Sequence, residues 1–293
     1  MLKVEKMEKN MKIGIEDAPY NRRFGGEKGY EYLKSLGYDC VDYQRFLNTD
    51  TPLFECSETD FDSAVKRDRK IIEDVGLEVF QVHAPWRWPA QDATEEERAE
   101  RFEKMSKSIR GTALLGSRYF VIHPLMPWGG GSYGPDLRKY REINLSFMRN
   151  LCREAEKNDV VICFENMPMR ALPLSKPEDS LDFVKEIDSP YFKMCLDTGH
   201  CAVFGIQPAE AVRLIGKDIL RTLHVHDNDG NQDLHWVPFT GVIDWEDFSK
   251  ALQEIGFDGC LSIETSPPKK FTGEVLELQD RSLYLSACQI AGK

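Results

Sequence analysis

The chain has six histidines, His83, His123, His200, His224, His226 and His235, and all six fall in or just after the end of a short aliphatic run. Glu165, Asp197 and Glu264 close three such runs, and Asp233 precedes His235 by two residues. Imidazoles and carboxylates are the ligands of Zn²⁺, Mn²⁺, Co²⁺ and Mg²⁺. Two carboxylates carried on separate strands can also act as general base and general acid.

Taken singly, most of these residues are ordinary. A histidine at a strand end, such as His83 in VHAPW or His123 in VIHPLMPWGGG, is more often a hydrogen-bonded core or loop residue, and the GGG reads as a rim loop rather than a phosphate cradle. Glu165 in ICFENMP is less ordinary, because a charge closing a buried strand is costly unless a cation or metal pairs it. CLDTGH sets Asp197 and His200 three residues apart across a strand-to-loop turn. HVHDND puts His224 and His226 on one strand face, followed by Asp227. DLHW places Asp233 and His235 on one side if extended, and LSIET supplies Glu264. Together, so many carboxylates without a cation would repel one another severely.

Positioning them requires elements that bring distant strand ends to one place. Eight aliphatic runs recur along the chain: 12–16, 39–43, 77–83, 119–123, 160–165, 192–197, 220–227 and 260–264. Most are nearly continuous rather than alternating, as expected of strands buried on both faces of a parallel sheet. Helical patterns separate them at 95–115, where Thr94 is a candidate N-cap, and at 136–157, 177–187, 208–215 and 244–255. Gly37, Gly76, Gly116, Gly216 and Gly256 sit where helix termini call for a left-handed residue. This order predicts an α/β fold, a single-domain (β/α)8 TIM barrel over 11–293, with 1–10 as an N-terminal extension and 275–293 as a final helix. A barrel of this kind gathers its site at the C-terminal ends of the strands. No GxGxxG follows the first strand, which disfavours a dinucleotide-binding open sheet.

Net charge is −11, with 41% hydrophobic and 30% charged residues. That balance allows a large core and disfavours broad binding to nucleic acid or anionic lipid. No stretch approaches the roughly 18 apolar residues of a membrane helix. The first sixteen residues lack a secretory core, and the eight scattered cysteines form no CxxC pair. These features predict a cytoplasmic protein with reduced thiols.

At FEN, LDTGH, HVHD, DxH followed by GVIDW, and SIE, the sequence resembles the xylose isomerase-like TIM barrel superfamily. That group includes sugar isomerases and epimerases, inosose dehydratases and the endonuclease IV type of nuclease. The resemblance implies that Glu165, Asp197, His224 and Glu264 bind one divalent metal, Zn²⁺ or Mn²⁺, with Mg²⁺ or Co²⁺ as alternatives, and that His200 touches substrate. It also supplies His83, His123, His200, Asp233 and His235 as further ligands, so one, two or three ions are allowed. His226 is expected behind the ligands or facing substrate. The chain departs from the family at VPFTGVIDW, where Phe239 and Thr240 replace a glycine-containing turn, and no arginine matches the one that follows the strand-seven histidine in ketose epimerases.

The reaction this predicts is isomerisation or epimerisation of a small sugar, keto-sugar or polyol. A proton is taken from beside a carbonyl, Glu165 and Glu264 act as base and acid, and the metal holds the enediolate. Trp86 and Trp128 are expected substrate-facing rim aromatics, with Trp88, Trp236 and Phe239 in similar loops. The alternatives are a zinc-dependent phosphodiesterase, an inosose-dehydratase-like lyase and a non-catalytic sugar- or metal-binding barrel. The expected partner is a small carbohydrate, with no nucleic acid and no membrane. A homo-oligomer is allowed.

Overall fold

Alternation along each strand lets one sequence serve two environments. The computed structural model describes residues 11–87, 90–128, 136–265 and 270–293; the expected extension at 1–10, Trp88 and the glycine run at 129–131 lie outside the described residues. Its strands are β1 (Lys12–Glu16), β2 (Cys40–Tyr43), β3 (Glu78–His83), β4 (Tyr119–Ile122), β5 (Val161–Glu165), β6 (Phe192–Asp197), β7 (Leu220–His224) and β8 (Cys260–Ile263). Ile13, Ile15, Val41, Ile122, Ile162, Phe164, Met194, Leu196, Leu261 and Ile263 join one apolar core shared with the surrounding helices. Many of the intervening residues are small, among them Gly14, Cys40, Cys163, Cys195, Thr222, Cys260 and Ser262, and Val121 and Val161 join Cys163 and Cys195 in a separate buried cluster. Cys40 and Cys260 bring their Sγ atoms to 3.1 Å of each other. A Cβ on Gly14 would stand 2.7 Å from one sulfur and 2.9 Å from the other, so only glycine fits between them.

All strand pairings are parallel, in the order β7-β6-β5-β4-β3-β2-β1-β8. A parallel bridge from Val225 to Ile263 closes the ring. There Val225 N donates to Ser262 O at 2.9 Å, and Glu264 N donates to Val225 O at 3.1 Å. The chain is therefore a (β/α)8 barrel. A register shift where β3 meets β2 sets Gln81 level with Asp42.

The helices begin where their caps place them. Thr94 Oγ1 accepts from Glu97 N, and the Glu97 carboxylate accepts from Thr94 N at 2.9 Å, so the helix Glu95–Leu114 opens on a reciprocal cap. Asp136 and Asp244 cap Leu137–Lys157 and Trp245–Glu254 in the forward direction, their carboxylates accepting from Lys139 N and Asp247 N. The five glycines expected at helix ends all have positive φ. At Gly37 this left-handed turn lets its N–H reach the carbonyls of Leu33 and Lys34. The sequence did not signal the short helix Thr198–Val203, which opens directly on the DTGH motif. Among the described residues no helix is long and apolar enough to cross a membrane.

Candidate metal centre

His224 is the last residue of β7, and its ring is held from three sides. Nδ1 lies 3.0 Å from Glu165 Oε1 and 3.3 Å from Glu264 Oε2, while Nε2 lies 2.8 Å from Asp42 Oδ2. Glu165, closing β5, meets His123 Nε2 through its other oxygen at 3.0 Å. One donor atom from each of Glu165, Asp197, His224 and Glu264 lies within 4.8 Å of all the others. Ligands around one ion at roughly 2.0–2.3 Å stand at most about 4.5 Å apart, so a slight contraction would seat a divalent cation. The donor set, three carboxylates and one imidazole, fits such an ion.

A second group borders the first. His226 Nε2 lies 3.1 Å from Asp197 Oδ2 and 3.6 Å from Asp233 Oδ1. Asp233 Oδ2 lies 3.3 Å from His200 Nε2 and 3.4 Å from His235 Nε2. The His226 and His235 rings stack at 4.1 Å, and His235 is held at φ 49° with Nδ1 2.8 Å from Glu264 O. His226, Asp233 and His235 form one further potential ligand cluster, Asp197, His200 and His226 another, and His83, Glu165 and His224 a third. His123 touches Glu165 without joining any of these clusters.

The expected aromatics separate in their surroundings. Trp86 lies edge-on to the His123 ring, centroids 4.5 Å apart, beside the centre. Trp128 stacks on buried Tyr140 of the helix Leu137–Lys157 at 6.0 Å, so its ring is engaged in packing. Trp236 and Phe239 are exposed, and Phe239 adopts φ 74°. The residue at the family's glycine position thus keeps a glycine-like backbone at a steric cost.

Burial and neighbouring charge set the protonation of these groups. Burial pushes Glu165 upward, but His224 and His123 outweigh it and hold the carboxylate well below its usual range. Burial lifts Glu264 to about 8; the carboxylates of Glu165 and Asp197 add to this and two histidines oppose it. Burial also lowers His200 and His235, yet the surrounding carboxylates carry them to about 10 and about 11. His83 falls to about 4 through burial and the nearby His123, which leaves a neutral imidazole with a lone pair for a metal. A buried acid that ionises only near pH 8 beside two other carboxylates marks a place short of positive charge.

Sequence reading missed several supporting residues. Asp42 in β2 and Gln81 in β3 lie under His224, with Gln81 Nε2 donating to Asp42 Oδ2 at 2.8 Å. Asn166, of the FEN motif, clamps β6: its Oδ1 accepts from Asp197 N at 2.8 Å and its Nδ2 donates to Asp197 O at 3.1 Å. Asp227 faces away from the ligands. It accepts from Gly241 N and Trp245 Nε1, each at 2.9 Å, and from Asn228 N at 3.0 Å, which ties the 228–243 loop to the strand and explains why HVHD and GVIDW occur together. The rule that singled out Glu165, an acid within a buried run, would also have found Asp42.

Known proteins share this architecture. An uncharacterized protein of Methanocaldococcus jannaschii, MJ1311, is 34% identical over 209 residues, covering 68% of this chain and 66% of that protein. The D-psicose 3-epimerase of Enterocloster bolteae is 32% identical over 271 residues, covering 87% of this chain and 82% of the enzyme. The crystal structure of a D-tagatose 3-epimerase-like protein superposes with a TM-score of 0.74 at 24% identity, covering 96% of this chain and 98% of that one. The family model for the xylose isomerase-like TIM barrel matches residues 30–281, so the chain belongs to that family.

Proposed function

We propose that the protein is a divalent-metal-dependent isomerase or epimerase of a small keto-sugar or polyol. The observation that carries this reading is the meeting of Glu165, Asp197, His224 and Glu264 within 4.8 Å at one end of the barrel. The 32% identity to a D-psicose 3-epimerase supports it. A cation bound by these four residues would supply Lewis-acid polarisation of substrate oxygens.

The two glutamates are unequal. Both Glu165 oxygens face imidazoles and its side chain is 1% exposed, which suits a fixed anchor. Glu264 has one imidazole contact and is 14% exposed, so it can reach a substrate carbon and carry a proton there. His200 and His235 retain their protons beside Asp233; their Nδ1 atoms are taken by the Asn166 and Glu264 carbonyls, so each donates to a substrate hydroxyl only through Nε2, in exchange with Asp233. Trp86, beside His123, gives an apolar wall for one sugar face.

Metal analysis of the purified protein, with a screen of ketoses and inososes in D₂O, tests the reading. One divalent ion per chain and deuterium uptake at the carbon beside the carbonyl are expected. Glu165→Gln and His224→Ala should each lose the ion. Full metal content in both variants with unchanged turnover would overturn it. Release of water from an inosose would instead assign a lyase.

The cluster of His226, Asp233 and His235 favours one second reading, a multinuclear zinc phosphodiesterase. Three zinc ions per chain and cleavage of a phosphodiester would decide for it.

A further inference from the structure

We propose that Asp42 is the positioning residue for His224, fixing which imidazole nitrogen is offered to the metal; this rests on the metal-dependent reading above. Asp42 Oδ2 lies 2.8 Å from His224 Nε2, at the edge of the ring opposite Glu165 and Glu264. A carboxylate can only accept at that distance, so Asp42 holds a proton on Nε2, and Nδ1, which faces the carboxylates of Glu165 and Glu264, is the nitrogen whose lone pair a cation bound there would take.

The geometry around Asp42 leaves it no other evident task. It is 1% exposed on β2, and its Oδ1 has no hydrogen-bond partner among the described residues. Its one additional partner is Gln81 Nε2 at 2.8 Å, which also reaches Leu223 O at 3.3 Å, next to His224 itself. Gln81 Oε1 is likewise unpartnered. Two buried polar side chains from β2 and β3 are therefore committed to orienting one ring on β7. A buried carboxylate costs several kcal/mol unless compensated, and the imidazole N–H provides that compensation. Carboxylates that hold a metal-bound histidine from behind set its tautomer and raise its basicity, and losing one typically weakens metal binding 10–100-fold.

The test is Asp42→Asn, which keeps the shape but can present an NH₂ group to Nε2 and so drive the proton to Nδ1. Mn²⁺ and Zn²⁺ affinities would be measured by competition with a chelator, and the His224 ring nitrogens read by ¹⁵N NMR of the zinc-loaded protein. The expected result is a 10–100-fold weaker metal affinity with unchanged circular dichroism, and loss of the hydrogen-bonded Nε2–H signal. If Asp42→Asn does not fold, Gln81→Leu is measured the same way and should weaken binding several-fold, because the Asp42 carboxylate is then free to rotate. Wild-type affinity in the folded Asp42→Asn variant, or in Gln81→Leu where that is the variant measured, overturns the inference. Failure of the wild-type protein to bind either metal defeats the underlying reading instead.

Discussion

Gly199 lies so close to the His226 ring that a Cβ on it would stand 1.9 Å from Cε1. The glycine of DTGH thus makes room for a histidine two residues past the end of β7, and that histidine meets Asp197 at 3.1 Å. Gly199→Ala should cost about 1–3 kcal/mol through overpacking. At about 2–4 °C per kcal/mol for a chain of this size, the melting temperature should fall by roughly 2–12 °C. Because the displaced ring pulls away from Asp197, metal affinity should fall too. Calorimetry and chelator competition check both, and a variant with wild-type values in each would show that the ring has room to move.

Binding to the folded state alone stabilises by mass action. Mn²⁺ or Zn²⁺ at one hundred times its dissociation constant should add about 2.7 kcal/mol, or roughly 5–10 °C. Glu165→Gln, which removes a carboxylate held by two imidazoles, should melt at the same temperature with and without the ion. An equal upward shift in that variant would place the ion elsewhere.

Asp227 anchors the 228–243 loop through N–H groups of Asn228, Gly241, Ile243 and Trp245. Asp227→Ala leaves these donors without an acceptor, at a cost of about 2–4 kcal/mol. Amide exchange should accelerate across 228–243, which carries Asp233 and His235, and remain slow in β5 and β6. Uniform acceleration through the barrel would mean that Asp227 supports the whole fold rather than the loop.

Asp17 supplies a pH dependence from a group that is not itself a proposed ligand. It is buried, accepts from Gln44 N at 3.0 Å and Tyr30 Oη at 2.8 Å, and burial lifts it to about 7 from 3.8. The folded chain keeps this proton across that interval while the unfolded chain has released it, so a rising pH favours unfolding. Stability from neutral Asp17 is complete below about pH 4 and lost above about pH 7, a difference of roughly 4 kcal/mol. Asp17→Asn should gain stability relative to wild type as pH rises from 4.5 to 7.5. Parallel stability curves would assign the titration to another group.

What could be read in advance follows a physical divide. Strand positions were legible because burial on both faces leaves runs such as VVICFE, and Glu165 stood out as a charge closing one of them. The helix starts at Thr94, Asp136 and Asp244 were legible because capping is local. Asp42 was open to the same rule as Glu165, but what it touches was not legible, since that depends on β7 lying across the barrel. The surroundings of Trp128 depend on Tyr140, twelve residues further along a helix, and the left-handed backbone at Phe239 contradicts that residue's own preference. Such features come from tertiary contacts that no short window contains.

Among the described residues, the ring of strands closes between β7 and β8 through one bridge, from Val225 to Ile263. His224 immediately precedes one partner and Glu264 immediately follows the other, so both sides of this seam end in a proposed ligand. An ion gripped by both would act as a clasp on the barrel's weakest join. Loading the metal should then slow the opening of that seam first, which couples readiness for chemistry to the integrity of the cylinder.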